Sequence, residues 1–171
     1  QKLGLFALIT LVFMGGVVLL YGQQTGGITI FADATNLSAS VTVQNDIDLQ
    51  KGVAAGNGNT QVVSGGIELG TASSAQPGTA QFDIGNPEVT QFQRFRSLQT
   101  APFATGTQVS VQFAGSLDGI SFQSLGSPTV LAPSHSVDLT TLIPSGSHFL
   151  RVIATLQTTV PGTSPRFEGF T

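Results

Sequence analysis

The sequence predicts a mainly β protein in two parts, with one N-terminal hydrophobic α-helix over residues 1–26 and an antiparallel β-sandwich, jelly-roll or immunoglobulin-like, over residues 27–171. The stretch from Leu3 to Tyr21 carries no charged side chain. In the second part, apolar residues alternate with polar ones, as they do in half-buried strands. Turn-forming pairs such as Asn57-Gly58 and Asp118-Gly119 separate these runs at intervals of about 8–12 residues, a spacing typical of sandwiches.

The N-terminal stretch is long enough to cross a bilayer. As an α-helix from Lys2 to Gln24 it would measure roughly 34 Å at 1.5 Å per residue, and a hydrocarbon core is about 30 Å thick. Apolar residues fall on every side of such a helix, so it has to be buried in lipid or in protein. Gly22, Gly26 and Gly27 are expected to end it.

This stretch lacks the pattern of a cleaved signal peptide. Such a peptide has a basic n-region, a short apolar region and a small-residue cleavage site. Here Lys2 is the only basic residue at the start, and no such site follows Tyr21. We therefore expect the segment to remain in the working protein.

The opening "QKLGLFALITLVFMGGVVLLYGQQ" resembles the mature subunits of type IV pilus-like filaments, a group of bacterial pilins, archaeal pilins and archaellins. In that family an apolar helix sits in the membrane before assembly and in the filament core afterwards, with a globular head outside. The chain has Leu5 where bacterial pilins usually carry Glu, and Gln1 where they commonly carry Phe. Both departures favour the archaeal relatives.

The resemblance implies a structural subunit of an extracellular filament on the cell surface, whose partners are identical subunits. Before assembly the subunit would lie in the inner or cytoplasmic membrane. Gly15 and Gly16 would allow close approach of neighbouring helices or local unwinding. The implied assembly residues are Leu3, Leu5, Phe6, Leu8, Ile9, Leu11, Val12, Phe13, Gly15, Gly16, Val17, Val18, Leu19 and Leu20.

Two other interpretations of the apolar segment stay open. It could anchor the chain in a cellular or virion membrane, so that the β domain acts as a binding module for a glycan or a protein. It could also be a helix buried within its own domain. The filament hypothesis predicts fibres, whereas the anchor predicts discrete particles in detergent.

About eight to ten short strands are predicted after residue 26, and no amphipathic helix of three turns. In "TQVSVQFAG" the inward residues are Val109, Val111 and Phe113. In "HFLRVIATLQT" they are Leu150, Val152, Ala154 and Leu156, with Arg151 outward. The other candidate strands are "GITIFA", "SASVTVQ", "QVVSGGIEL", "AQFDIG", "VTQFQRF", "GISFQSL" and "SPTVLA".

The run "VSVQFAGSLDGISFQSLG" (109–126) resembles a hairpin of discoidin-like, galactose-binding-like jelly rolls, and "HFLRVIA" resembles their return strand. Asp118-Gly119 would supply the positive φ angles of a tight type I′ turn. The resemblance implies a jelly roll with a glycan-binding role at its loop ends. The chain has no Trp, however, and Tyr21 is its one Tyr, so the aromatic platform on which sugars stack is missing.

The composition disfavours most chemistry. Six Lys and Arg residues are scattered along a chain of net charge −3, so no nucleic-acid surface is expected. There is no cysteine, and hence no disulfide or thiolate site. His135 and His148 have no ligand-type neighbours at metal spacing, and no Gly-x-Ser-x-Gly elbow supports a nucleophile. We therefore expect no catalysis, no cofactor and no metal.

Three polar groups have alternative interpretations. Asn45, Asp46 and Asp48 in "NDIDLQKG" could help to hold Ca²⁺, but a solvated strand end is the expected structure because further acidic ligands are missing. Asn36 starts the single N-x-[ST] sequon and is the candidate glycosylation site. In "QFQRFR", Arg94 and Arg96 are expected on a strand or across a subunit contact.

Overall fold

The computed structural model describes residues 10–13, 16–19, 40–73 and 76–171, and residues 10–13 and 16–19 only as backbone. The protein is mainly β, with 40% strand and 8% helix, and its sheets are antiparallel. The described elements are β1 (Thr10–Phe13), β2 (Gly16–Leu19), α1 (Asp46–Ala55), β3 (Thr60–Val62), β4 (Ile67–Leu69), β5 (Gly78–Gly85), β6 (Arg94–Arg96), β7 (Thr107–Ser116), β8 (Gln123–Val130), β9 (Ser136–Asp138) and β10 (Phe149–Thr158).

Four strands form the largest sheet, in the order β5-β10-β7-β8. Val152 in the central strand β10 lies opposite Phe82 on one side and Phe113 on the other. Because side chains alternate along a strand, one face of β7 and β10 is apolar and buried, and the other is more exposed and carries most of the polar residues. The predicted inward residues Val109, Val111 and Phe113 and Leu150, Val152, Ala154 and Leu156 are all buried, which confirms both predictions.

The C-terminal segment, residues 165–171, covers the apolar face of this sheet. Phe167 exchanges two backbone hydrogen bonds with Ile67 of β4. Phe170 exchanges two backbone hydrogen bonds with Val43. The next residue, Thr171, exchanges two with Arg96 of β6. The segment therefore joins the chain around Val43 and β4 to β6, which in turn pairs with β9.

Five phenylalanine rings fill the space between this segment and the sheet. Phe170 is only 1% exposed, and its ring lies 5.3 Å from Phe82 and 5.3 Å from Phe95, measured between centroids. Phe95 also packs edge-on against Phe113, and Phe167 packs against Phe82. Gly169 makes this approach feasible, because with φ +99 any Cβ would lie 1.9 Å from the carbonyl oxygen of Val43.

Most predicted strands are present, with changes at their ends. The stretches "QVVSGGIEL" and "AQFDIG" contain β3, β4 and β5, whereas "VTQFQRF" is reduced to β6. The two predicted strands "GISFQSL" and "SPTVLA" are one continuous strand, β8. In the described part of "SASVTVQ", residues 40–44, Val43 is the residue that forms a β-bridge, and its partner is Phe170. "GITIFA" lies outside the described residues.

After residue 26 the sequence predicted strands and no amphipathic helix of three turns, and the structure has one short helix there, α1 at Asp46–Ala55. Asn45 caps it by accepting a hydrogen bond from the N–H of Asp48 at 2.9 Å. The carboxylates of Asp46 and Asp48 lie in the first turn, where the positive end of the helix dipole stabilises negative charge. Leu49, Gly52 and Val53 form its buried face.

The prediction of a helix over residues 1–26 is wrong for the parts that the structure describes. β1 and β2 form an antiparallel pair, with Thr10 opposite Leu19 and Phe13 opposite Gly16. Thr10, Val12, Val17 and Val18 are β-branched, a residue type enriched in strands. Apolar composition alone did not distinguish these conformations. No helix in the described part of the chain has the length and apolar character needed to span a membrane.

We expect Phe170→Ala to lower the free energy of unfolding by about 3–5 kcal/mol, because it removes a fully buried ring from the centre of the aromatic cluster. Phe92→Ala is the matched control, since Phe92 is only partly buried at the margin of the core, and should cost about 1–2 kcal/mol. Denaturant unfolding followed by circular dichroism measures both. Equal losses would show that the core does not centre on Phe170.

Candidate functional site

The connection between β7 and β8, residues 117–122, presents two large apolar side chains at its surface. Leu117 is 69% exposed and Ile120 is 83% exposed. Single exposed apolar side chains are common, whereas neighbouring ones at a surface can mark a contact site, and these two lie three residues apart in one connection. We call Leu117 and Ile120 the apolar tip.

Hydrogen bonds inside this connection fix the backbone of the apolar tip. The Asp118 carboxylate oxygen Oδ1 accepts from the N–H groups of Ile120 at 2.9 Å and Ser121 at 2.8 Å. The Ser116 hydroxyl donates to the same oxygen at 2.9 Å and accepts from the N–H of Gly119 at 2.9 Å. Asp118 therefore closes a ring of polar contacts from which Leu117 and Ile120 project.

The turn differs from the predicted type I′ geometry. That type needs positive φ at both central residues, but only Gly119 has it, at +72, and Asp118 does not. β7 ends at Ser116 and β8 begins at Gln123, so the connection has six residues rather than two. The carboxylate contacts of Asp118 take over the role that the tight turn was expected to play.

Asp118 titrates far below an ordinary aspartate. The N–H of Ser121, the N–H of Ile120 and the hydroxyl of Ser116, in that order, stabilise its charged form and lower its pKa from 3.8 to about 2. The carboxylate is therefore ionised throughout the physiological range. Its Oδ1 atom is already occupied by these three donors.

A salt bridge supports the base of the connection. Arg151 donates to both carboxylate oxygens of Asp83, at 2.7 Å and 2.8 Å, and this contact raises the pKa of Arg151. The Arg151 guanidinium also lies 3.8 Å from the centre of the Phe122 ring. Phe122 is thus held against the sheet one residue before β8, and the connection is fixed at this end as well.

A shallow cleft of about 360 Å³ lies beside the apolar tip. Its polar lining consists of hydroxyl groups, the Gln123 amide and the Asp118 carboxylate. In the described part of the chain no three His, Asp or Glu side chains come close enough to hold a metal ion. The cleft can offer hydrogen bonds and apolar contact to a partner. Its lining residues are Gly115, Ser116, Leu117, Asp118, Ser121, Gln123, Leu125, Pro144, Ser145 and Ser147.

The predicted assembly residues are only partly within the described structure. Leu11, Val12 and Phe13 lie in β1, and Gly16, Val17, Val18 and Leu19 lie in β2, so the strand pairing brings these two groups together. Outside the described residues are Leu3, Leu5, Phe6, Leu8, Ile9, Gly15, Leu20 and the sequon residue Asn36.

The acidic group around Asp48 serves the helix and not a strand end. Asp48 accepts hydrogen bonds from Asn45 at 2.7 Å and from Lys51 at 2.9 Å. Asp46 accepts from the N–H of Gly65 at 2.6 Å and so ties α1 to the β3–β4 turn. These contacts give both carboxylates structural roles. The expected strand end is wrong, because Asn45 caps a helix that begins at Asp46.

The histidines and arginines singled out in the sequence have structural contacts. His148 Nδ1 lies 2.6 Å from the carbonyl oxygen of Val89, and the backbone carbonyl of His135 accepts from Ser97. Arg94 and Arg96 flank the buried Phe95 in β6, opposite Asp138 and Ser136 of β9. The strand interpretation of "QFQRFR" is therefore confirmed for its last three residues, whereas residues 91–93 lie outside β6.

Sequence reasoning missed the apolar tip. The signal was present: Leu117 and Ile120 flank Asp118-Gly119, in a turn where polar residues would be expected. No protein-family model matches the chain, and no curated protein or solved structure matches it. Its function has to be inferred from its own residues and contacts.

We expect the carboxyl group of Asp118 to titrate with a midpoint near pH 2, as measured by carbon-detected NMR. Its folded pKa lies below the ordinary 3.8, so the ring of contacts is fully formed above about pH 4 and is lost as the pH falls through about 2. Ser116→Ala should raise the midpoint by removing one donor, whereas Ser124→Ala in β8 should not. A midpoint of 3.8 in the unaltered protein would contradict the ring.

Proposed function

We propose that this chain is a structural subunit of an extracellular, type IV pilus-like filament. Identical chains assemble through the apolar segment 1–26, and the β domain 27–171, a sandwich of jelly-roll or immunoglobulin-like type, faces outward. One observation carries the proposal: the uninterrupted stretch from Leu3 to Tyr21 without a charged side chain, placed ahead of a β domain.

The side chains of the apolar segment 1–26 have to be shielded from water. Removing a large aliphatic or aromatic side chain from water gains on the order of 1.5–3 kcal/mol, so a segment of this composition is strongly driven out of water. Before assembly, a membrane supplies the cover. Transfer into a filament exchanges lipid contacts for contacts with other copies, and close packing has to supply the driving force.

The described β domain supports a subunit whose head stands outside a filament. Its core is one cluster that runs from Val43 to Phe170 along the chain. Only 9% of all residues in the chain are charged, against roughly 25% in typical soluble domains. A surface with few charges can pack against copies of itself without strong repulsion.

The β1–β2 pair needs contacts with other parts of the protein or with other copies to be stable. Each strand has four residues, and an isolated two-stranded hairpin is marginally stable at best in water. The sequences TLVF and GVVL supply Thr10 as the one polar side chain. The proposal therefore concerns what covers segment 1–26, and cryo-electron microscopy of the fibres would show how the segment packs.

We expect the intact protein to form fibres several nanometres wide, and Val12→Lys to abolish them, because a charge would be buried among the copies. Ile47→Lys is the matched control: Ile47 is an exposed apolar residue of α1, and the same charge there should leave fibres intact. Negative-stain electron microscopy gives the result. Intact protein found only as discrete particles in detergent would refute the filament and support a membrane anchor.

The apolar tip favours a second candidate function, a membrane-anchored module that binds a glycan or a protein. Leu117 and Ile120 project from a backbone that Asp118 holds in place. A fixed apolar contact loses little conformational entropy when it binds. This candidate keeps the same anchor and β domain but assigns the function to the loop end.

For this candidate we expect the detergent-solubilised chain to bind a defined set of sugars on a glycan array. Leu117→Ser with Ile120→Ser should weaken that binding at least about tenfold, since about 1.4 kcal/mol corresponds to a factor of ten. Val130→Ser with Val160→Ser is the control, because these residues are 54% and 40% exposed but lie away from the tip. Absence of sugar binding, or equal loss in both variants, would count against the glycan-binding form of the module.

A further inference from the structure

A groove of about 310 Å³ lies between α1, β5 and the chain that leads to α1. We call it the β5 groove. Phe82 and Val43 at its base are almost fully buried, and Val41 and Ile84 are half-buried members of the core margin. The residues that line it are Val41, Thr42, Val43, Asp48, Lys51, Gly52, Ala55, Gln81, Phe82, Asp83 and Ile84.

One wall of this groove is the outer edge of β5. Among the described strands, β5 is the outermost one of its sheet and pairs with β10. Near its start the outer edge is covered, since Thr79 donates its N–H to Asn57 at 2.9 Å and its carbonyl accepts from Thr60 at 3.1 Å. From Gln81 to Ile84, no other strand or loop among the described residues pairs with the outer backbone.

An open edge beside an apolar groove is the arrangement that strand addition requires. The added strand satisfies the free N–H and C=O groups, and alternate side chains enter the groove. An edge left open would invite pairing with other chains. The β5 groove therefore fits an extended, uncharged segment with apolar residues at alternate positions.

The chain itself carries such a segment close by. The described part resumes at Ser40, and Val41 already forms a wall of the groove. Upstream, "GITIFA" (27–32) has Ile28, Ile30 and Ala32 on one side and no charge. Residues 33–39 connect it to Ser40, and at about 3.3 Å per residue they reach roughly 23 Å. That reach covers more than four strand spacings of about 4.8 Å.

We propose that residues 27–32 add to the free edge of β5 in the same chain, with Ile28 and Ile30 in the β5 groove. The same chain is favoured over a second copy because a short connection gives a high effective concentration. The proposal does not depend on filament formation. It would place the end of segment 1–26 beside the β5 groove.

Engineered disulfides test this in the full-length chain, which has no cysteine of its own. Gln81 faces away from the buried Phe82, so it would share a face with Thr29 and Phe31 of the added strand. We would combine Gln81→Cys with Thr29→Cys or with Phe31→Cys. Opposed residues on antiparallel strands have Cα atoms about 4.5–5.5 Å apart, within the range for a disulfide. After oxidation in detergent, one of the two pairs should give a cross-linked monomer in most molecules.

Two control pairs make the result specific. Ile30→Cys with Gln81→Cys should stay largely reduced, because Ile30 would point to the opposite face. Thr29→Cys with Ser124→Cys should also stay reduced, because Ser124 lies in β8 at the far edge of the sheet. Disulfide-linked dimers instead of cross-linked monomers would overturn the same-chain proposal, as would failure of both test pairs or equal cross-linking in a control.

Hydrogen exchange provides a second measurement that needs no cysteine. The amides of Gln81 and Asp83, which face the outer edge as Thr79 does, should be protected in the unaltered chain because the added strand covers them. Ile28→Asp with Ile30→Asp should raise exchange in β5 at least about tenfold without changing β7. Thr29→Asp, on the opposite face, should leave β5 protected. Equal exchange of β5 in all three proteins would overturn the proposal.

Discussion

The packing of the C-terminal segment against the four-stranded sheet is the contact on which the β domain depends. The chain has no cysteine, so burial and hydrogen bonds alone hold the two layers together. Phe170 contributes both, because its ring lies among Phe82 and Phe95 while its backbone pairs with Val43 and bridges to Ser97. Strands β6 and β9, with three residues each, are too short to be stable as an isolated pair. They are ordered because this segment connects them to the rest.

The two edge strands of the four-stranded sheet, β8 and β5, differ in sequence and in the regularity of their pairing. On β8, Pro128 has no N–H to donate, Gly126 takes φ +65, and the pairing with β7 shifts between Val111 and Phe113. Proline and irregular pairing are the usual features that prevent a further strand from joining. β5 has no proline, and its register with β10 is unbroken from Gly78 to Gly85, where the strand ends on a glycine with φ +124. The outer edge of β5 is therefore regular enough to accept a further strand, whereas that of β8 is not.

The sequence predicted well where one physical signal dominated. Burial alternates along all ten residues of β10 and from Gln108 to Phe113 of β7, so the inward residues predicted there followed from the period alone. α1 was missed because it is short and only Leu49, Gly52 and Val53 are buried, which leaves the cap at Asn45 as its main signal. The error over residues 10–13 and 16–19 has another cause: apolar composition indicates that a segment avoids water but does not determine its conformation. The apolar tip was missed although its contacts are local, because the Asp118 carboxylate binds backbone N–H groups only two and three residues further along the chain.

The volume of the β5 groove decides which of two apolar stretches it can accept, residues 27–32 or the stretch from Leu3 to Tyr21. The β5 groove holds about 310 Å³, roughly ten times the liquid volume of one water, which suits the few side chains of one short strand. The stretch from Leu3 to Tyr21 has nineteen residues, far more than this groove can accept. Residues 27–32 in the groove would leave that longer stretch to be shielded from water elsewhere, which in the proposed filament is done by other copies of the chain. The two proposals are compatible, because the first would place the end of segment 1–26 next to α1 and the outer edge of β5.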